Sequence, residues 1–292
     1  SPKTKEGESM NHSHSGFLGE NHGGSRPYLH KDGRTVIVAM DHALAMGQAA
    51  GLANPSHVLE QASMGAGADG AILTAGAARL RHAAAPNLPW FLTADYYAKS
   101  VDPGHPGSEE IHGMLWTGAY AKRMGACGVK CLWVHGQSDP REHTASLERV
   151  ARLIEDAHDH GLSVMVESVM WGPRLEVAHQ RDSERVASAA RMAYELGADI
   201  IKVAMPEKIG PLAEVAALSP VPIVVMGGPV EEPETLFGRI RDALDGGVRG
   251  VALGRNIWGA QHVGGMLDAL NGMVHDDCTV TEAMDRMKAS EA

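Results

Sequence analysis

One pattern recurs along the 292-residue chain and limits its fold more than any single residue does: a short β-branched apolar run, a turn, then apolar residues at helical spacing. The predicted strands are 35–41, 70–74, 89–95, 128–135, 163–168, 199–205, 222–228 and 250–255. Predicted helices between them include 55–65, 113–125, 146–160, 183–197, 210–218 and 232–246. Runs such as Val36-Ile37-Val38-Ala39 and Ile223-Val224-Val225 are apolar on both faces, which suits parallel strands covered on both sides. Several helices run into a glycine, at Gly65, Gly125, Gly197 and Gly246-Gly247, where a left-handed cap turns the chain back toward the next strand. Eight such units predict a single closed (β/α)8 TIM barrel. An open doubly wound sheet would carry a glycine-rich dinucleotide fingerprint after its first strand, and this chain reads Asp41-His42-Ala43-Leu44 there. One connection, 96–112, is long and holds Tyr96, Tyr97, Lys99 and several Pro and Gly residues; a lid over one end of the barrel is expected.

Composition narrows the partners. Lys+Arg 26 against Asp+Glu 36 gives a net charge of −10, which argues against nucleic-acid and anionic-membrane surfaces as partners. No run approaches the ~18 apolar residues of a membrane span. The three cysteines, Cys127, Cys131 and Cys278, have neither metal-finger spacing nor an even count, so a reducing cytoplasm is expected. Residues 1–26 are polar and lack an apolar signal core; they are read as a tail, with 27–292 as the barrel domain. His12, His14 and His22 belong to that tail, and no metal site is predicted. Apolar outer helices and the C-terminal stretch 276–292 suggest a homo-oligomer.

In a barrel of this type the active site lies at the C-terminal ends of the strands, so ionisable residues inside or just after strands are the candidates. Lys202 interrupts Asp199-Ile200-Ile201-Lys202-Val203-Ala204-Met205. Low dielectric disfavours an ammonium and frees an amine to attack a carbonyl, so Lys202 is a candidate Schiff-base nucleophile. The plainer alternative is a lysine ion-paired inside the barrel, with Glu167 as partner. Lys130, in Gly128-Val129-Lys130-Cys131-Leu132, is a second strand lysine that would act on the first through its charge. Glu167 and Asp41, at other strand ends, can relay protons or only neutralise the lysines. His42, Asp95 and His135 are candidate substrate contacts. Met226-Gly227-Gly228-Pro229 and Leu253-Gly254-Arg255-Asn256 end strands seven and eight, where barrels bind phosphate with glycine N–H groups, a helix N-terminus and an arginine.

These residues resemble a known family. Val38-Ala39-Met40-Asp41-His42, Gly67-Ala68-Asp69-Gly70-Ala71-Ile72-Leu73-Thr74, Glu195-Leu196-Gly197-Ala198-Asp199-Ile200-Ile201-Lys202, Val225-Met226-Gly227-Gly228-Pro229 and Val251-Ala252-Leu253-Gly254-Arg255-Asn256-Ile257-Trp258 are similar to the class I fructose-bisphosphate aldolases of the archaeal and bacterial type, within the deoxyribose-phosphate aldolase-like superfamily. The resemblance implies a metal-independent lyase that forms a Schiff base on Lys202 without a cofactor. It also implies a catalytic carboxylate at Asp41 and a phosphorylated ketose held by Gly227, Gly228, Gly254 and Arg255. The family carries a Trp-Ser-Tyr-type motif at the end of strand five, where this chain reads Val166-Glu167-Ser168-Val169-Met170-Trp171. In that respect it is more similar to tagatose-bisphosphate and sulfofructose-phosphate aldolases, and the proton-transfer role shifts to Glu167. Three other readings stand beside this one: an aminodideoxyheptulosonate synthase-like enzyme, a phosphate-binding barrel in which Lys202 is only an ion-pair partner, and a non-catalytic phosphosugar-binding barrel.

Overall fold

The computed structural model describes residues 25–290 except 101, 103, 104, 106 and 108. In chain order its strands are β1 (Thr35–Ala39), β2 (Gly70–Leu73), β3 (Trp90–Thr93), β4 (Asp95–Ala98), β5 (Ile111–Met114), β6 (Gly128–Val134), β7 (Ser163–Val169), β8 (Ile200–Ala204), β9 (Ile223–Met226) and β10 (Gly250–Leu253). Eight of these close into a parallel barrel in the order β1-β10-β9-β8-β7-β6-β3-β2. They are the eight strands expected from the apolar runs. The N-terminal tail, with His12, His14 and His22, lies outside the described residues apart from Ser25 and Arg26.

The helices are α1 (Ala43–Met46), α2 (Pro55–Ser63), α3 (Ala77–Ala84), α4 (Gly118–Arg123), α5 (Pro140–Asp159), α6 (Ser183–Leu196), α7 (Gly210–Leu218), α8 (Pro233–Asp245), α9 (Arg255–Trp258), α10 (Val263–His275) and α11 (Val280–Ala289). The left-handed turns fall at Gly65 (φ 56°), Gly125 (φ 79°) and Gly197 (φ 105°). After α8 the positive φ belongs to Gly247 rather than Gly246.

Two expectations need correction. The helix predicted over 113–125 begins only at Gly118, where the Thr117 hydroxyl accepts from the Tyr120 N–H at 3.1 Å. Residues 111–114 instead pair with 95–98 as an antiparallel hairpin, β4-β5, so much of the long connection is regular structure. The helix predicted from 146 starts earlier, at Pro140, because the Asp139 carboxylate caps it through the Arg141 N–H.

Side chains alternate between the barrel interior and the helix layer. Ile37, Ile72, Phe91, Met165, Ile200 and Val224 meet inside and fill the lower barrel, with Tyr28 packed beneath them against Phe91. The residues between them on the strands, such as Val36, Val129, Val164 and Ile201, face the helices. α11 packs on α10 and α8 and buries Ala283, so part of the C-terminal stretch expected to mediate self-association is used within the fold.

Candidate active site

The alternation that fills the lower barrel also places the next layer. Two residues beyond each interior apolar residue stand Asp41 after Ala39, Thr93 after Phe91, Glu167 after Met165 and Lys202 after Ile200, with Lys130 and Leu132 on β6 in the same phase. All six line one cavity of about 710 Å³ at the C-terminal end of the barrel. An apolar plug therefore carries a charged floor.

The floor is a connected ionic cluster. Glu167 and Lys202 are level neighbours on β7 and β8, and the Lys202 Nζ donates to Glu167 Oε2 at 3.0 Å. The Lys130 Nζ lies 2.8 Å from that same oxygen and donates to Asp41 Oδ2 at 3.2 Å. The Thr93 hydroxyl also donates to Asp41 Oδ2, at 2.9 Å. Lys130, Glu167 and Lys202 are each 4% exposed. Burial disfavours the charge on every member, yet Lys130 and Lys202 together hold Asp41 and Glu167 below the usual carboxylate range. Conversely, Asp41, Glu167 and Asp95 outweigh burial at Lys130 and hold its proton more firmly than usual. Lys130 is thus a fixed cation, and Lys202, with one carboxylate contact, is the better placed amine.

The expected phosphate residues lie at the rim beside this floor. Gly227, Gly228, Gly254 and Arg255 all line the cavity. A Cβ on Gly254 would come within 2.8 Å of the Ala39 carbonyl oxygen and 2.5 Å of the His42 ring, so only glycine lets this turn pass. Asn256 ties the two rim loops together: its Oδ1 accepts from the Glu231 N–H at 2.9 Å and its Nδ2 donates to the Pro229 carbonyl at 3.2 Å. The Arg255 side chain makes no hydrogen bond or ion pair among the described residues, and burial alone lowers its hold on its proton. His42 stands next to it, 3.7 Å from Asp41 Oδ1, and burial lowers its pKa so that the ring is neutral.

Asp95 and His135 separate. Asp95 lines the cavity at the base of the hairpin, where Oδ2 accepts from the Leu132 N–H at 2.7 Å and meets His112 Nε2 at 2.8 Å. Its Oδ1 is buried without a partner. His135 is outside the cavity lining: it lies five residues from Lys130, out of phase with it, and points to the helix side with Trp133. There it meets Ser168 Oγ at 2.8 Å, and burial takes its pKa down to about 4. The hairpin brings Tyr96, Tyr97 and Lys99 into the lining, with Tyr97 5.8 Å from the Trp171 ring. Arg181 and Arg239 line the cavity too, although nothing in the local sequence pattern marks them. Thr93 could have been found by counting two residues back from Asp95.

Comparison with known proteins identifies the family to which this barrel belongs. The model of the DeoC/LacD family aldolases matches residues 35–260. A 2-amino-4,5-dihydroxy-6-oxo-7-(phosphonooxy)heptanoate synthase of Streptomyces griseus is 30% identical over 87% of this chain and 89% of its own. A class 1 fructose-bisphosphate aldolase of Halobacterium salinarum is 30% identical over 89% of this chain and 97% of its own. A solved structure of the Schiff-base-forming fructose-1,6-bisphosphate aldolase, studied through its reaction intermediates, superposes with a TM-score of 0.73 at 26% identity, covering 85% of this chain and 97% of that one. With a buried strand lysine on the floor of a closed parallel barrel, the chain belongs to the DeoC/LacD family of aldolases, lyases of the Schiff-base-forming class I kind.

Proposed function

We propose that Lys202 is the Schiff-base lysine and that the substrate is a phosphorylated ketose whose ketone lies next to the phosphorylated carbon. The observation that carries this reading is the sharing of one Glu167 oxygen by Lys130 and Lys202 on the cavity floor. The Lys202 amine attacks the ketone, water leaves, and a protonated imine forms. A base then takes the proton of the C4 hydroxyl, carried by the far carbon of the bond to be broken. The C3–C4 electron pair flows into the imine, an aldehyde departs, and the resulting enamine is reprotonated and hydrolysed. The imine is the electron sink, so the reaction needs no metal or organic cofactor.

Glu167 is the proton shuttle in this scheme, because it already contacts the Lys202 nitrogen at 3.0 Å. Asp41, kept ionised by Lys130, orients the reacting hydroxyl, and Lys130 holds both carboxylates in position. Gly227, Gly228, Gly254 and Arg255 hold the donor phosphate, with His42 beside them. Asp95, at the base of the hairpin, faces the acceptor end of the substrate. The hairpin covers the acceptor end. His135 supports β6 and β7 from behind and makes no substrate contact. Fructose bisphosphate and a 6-oxo-7-(phosphonooxy)heptanoate share a ketone beside a phosphorylated carbon and differ at the other end, so dihydroxyacetone phosphate is the donor proposed for this chain. Self-association through exposed apolar residues such as Val177 and Leu218 is part of the proposal, and sedimentation measures it.

Borohydride reduction with dihydroxyacetone phosphate, read by peptide mass spectrometry, should leave a reduced adduct on Lys202. An unmodified Lys202 at saturating donor overturns the mechanism.

A further inference from the structure

At the opposite end of the barrel from the cavity, a turn and a helix end bring three potential metal ligands together. The turn 30–34 leads into β1 and is closed by its own backbone: the His30 N–H donates to the Arg34 carbonyl at 2.9 Å and the Gly33 N–H to the His30 carbonyl at 2.8 Å, with Gly33 at φ 75°. Arg34 clasps this turn to the end of α10, its Nη1 donating to the Val274 carbonyl at 2.8 Å and to Asp277 Oδ1 at 2.6 Å. His275, the last residue of α10, thereby faces His30 and Asp32. Asp32 stands 243 residues from His275, so no local spacing marks the group.

The distances suit one small ion. One ligand atom from each of His30, Asp32 and His275 lies within 4.8 Å of the other two. His30 Nδ1 is 3.3 Å from Asp32 Oδ1, and His275 Nδ1 is 2.7 Å from Asp32 Oδ2. Ligands held ~2.0–2.1 Å from a tetrahedral zinc ion stand about 3.3 Å apart, so the first pair already matches and the second opens by about half an ångström on binding. The other nitrogen of His275 is fixed by a carboxylate, as in ligating histidines: Nε2 meets Asp69 Oδ2 at 2.9 Å, and that oxygen also accepts from the Val36 N–H at 2.7 Å. With the Nε2 proton donated to Asp69, Nδ1 turns a lone pair toward Asp32, and two lone pairs this close need a proton or a metal ion between them. Asp32 is oriented in turn by the Arg34 N–H, 2.9 Å from Oδ1. The charge agrees, because Asp32, Asp69 and the negative end of the 13-residue α10 converge here while the Arg34 guanidinium is taken up by Asp277. The His275 side chain is 6% exposed, whereas those of His30 and Asp32 are 40% and 28% exposed and leave an entry from solvent.

We propose that His30, Asp32 and His275 bind a divalent transition metal of the zinc type, with water as the fourth ligand, as a staple between the turn before β1 and the end of α10. Two imidazoles favour such an ion over Mg2+ or Ca2+, which take oxygen ligands. Binding displaces the proton between His275 and Asp32. The site stands apart from Lys202 and takes no part in the aldol chemistry.

The test uses the 292-residue chain stripped with a chelator and then titrated with Co2+, read by its visible d–d bands, and with Zn2+ in competition with a chromophoric chelator. Bands of four-coordinate Co2+, displaced by Zn2+, are expected. Zn2+ at about 100 times its Kd multiplies the folded-to-unfolded ratio about 100-fold and lifts Tm by about 5 °C, and Mg2+ at the same concentration does not. His30→Ala, a change at a solvent-facing position, keeps the fold, weakens Zn2+ binding roughly tenfold or more and abolishes the rise in Tm; Asp32→Asn does the same. Three results overturn the proposal: absence of the Co2+ bands, a rise in Tm that Mg2+ reproduces, or binding and a rise in Tm that both variants retain, which would place the ion on other groups such as His12, His14 and His22.

Discussion

Replacing Glu167 by glutamine tests the cluster most directly. The change keeps the volume and removes one negative charge, so a floor of two ammonium groups and two carboxylates becomes net positive by one. Both contacts to Oε2, at 2.8 Å from Lys130 and 3.0 Å from Lys202, lose their charge-assisted character, and all three residues are 4% exposed. Breaking a buried pair by removing one partner costs about 3–5 kcal/mol. The open cavity admits water to the lysines and puts the expected cost at the lower end, about 3 kcal/mol, or on the order of 6–10 °C in Tm. If Glu167 also shuttles protons, kcat falls roughly 10²- to 10⁴-fold. Equilibrium urea unfolding and steady-state cleavage of a ketose phosphate read the two effects separately. Glu167→Gln combined with Lys130→Met restores the charge balance and should unfold at higher urea than Glu167→Gln alone, a non-additivity expected of groups that share one oxygen. A single variant that loses less than about 1 kcal/mol and keeps kcat within tenfold would refute both the energetic and the catalytic reasoning, and strictly additive stabilities would refute the shared-oxygen argument.

Other outcomes follow from single sites. Arg255→Gln should raise KM for the phosphorylated donor about 10- to 100-fold, the worth of a charge-assisted bond, with little change in Tm; an unchanged KM would remove Arg255 from the phosphate site. Gly254→Ala forces a Cβ against the Ala39 carbonyl and the His42 ring, so a loss of roughly 1–3 kcal/mol is expected, and unaltered thermal unfolding would contradict the contact. His275 sits at the other end of the barrel between two carboxylates, with Nε2 2.9 Å from Asp69 and Nδ1 2.7 Å from Asp32. Burial lowers its pKa, but the two acceptors outweigh it and the net shift is upward from 6.5. The stabilisation is therefore complete below the unfolded value and is lost as pH rises through the higher folded one. Urea midpoints should fall as pH rises above the unfolded value near 6.5, and His275→Asn should flatten that slope; an equal slope in the variant would exclude His275 as its source.

The barrel was legible because its signals are local. Apolar runs such as Val36-Ile37-Val38-Ala39 and left-handed glycines such as Gly197 act within a few residues, and each βα unit repeats them. Lys202, Lys130 and Glu167 were legible for a related reason, since a charge inside an apolar strand is conspicuous. His135 shows what strand position alone leaves out: it directly follows β6, which carries Lys130, but a separation of five residues turns it to the other face. The hairpin was missed because 111–114 pairs with 95–98 across an intervening segment, a non-local contact that no window of helical periodicity registers. Arg181 and Arg239 were missed for the same kind of reason. One ends a 3-10 segment and the other lies in an ordinary amphipathic helix, and only barrel closure brings both to one rim.

The overall charge of −10 and the chemistry of the cavity act over different distances. Exposed charges on the outer helices are screened over about 8–10 Å, so they repel an extended polyanion along its length yet reach the barrel mouth only weakly. Inside the mouth the neighbours are a few ångströms away in a less polar medium, where each pair counts for more. There Glu231 pairs with Arg239, the Arg255 side chain has no partner among the described residues, and the two lysines beneath are already matched by Asp41 and Glu167. On the proposed reading, a ligand anion is drawn to Arg255 at the rim and not to the floor. That division matters for the chemistry: an anion seated between Lys130 and Lys202 would compete with Glu167 for the groups the reaction needs, whereas one held at the rim leaves the Lys202 nitrogen free to meet the carbonyl.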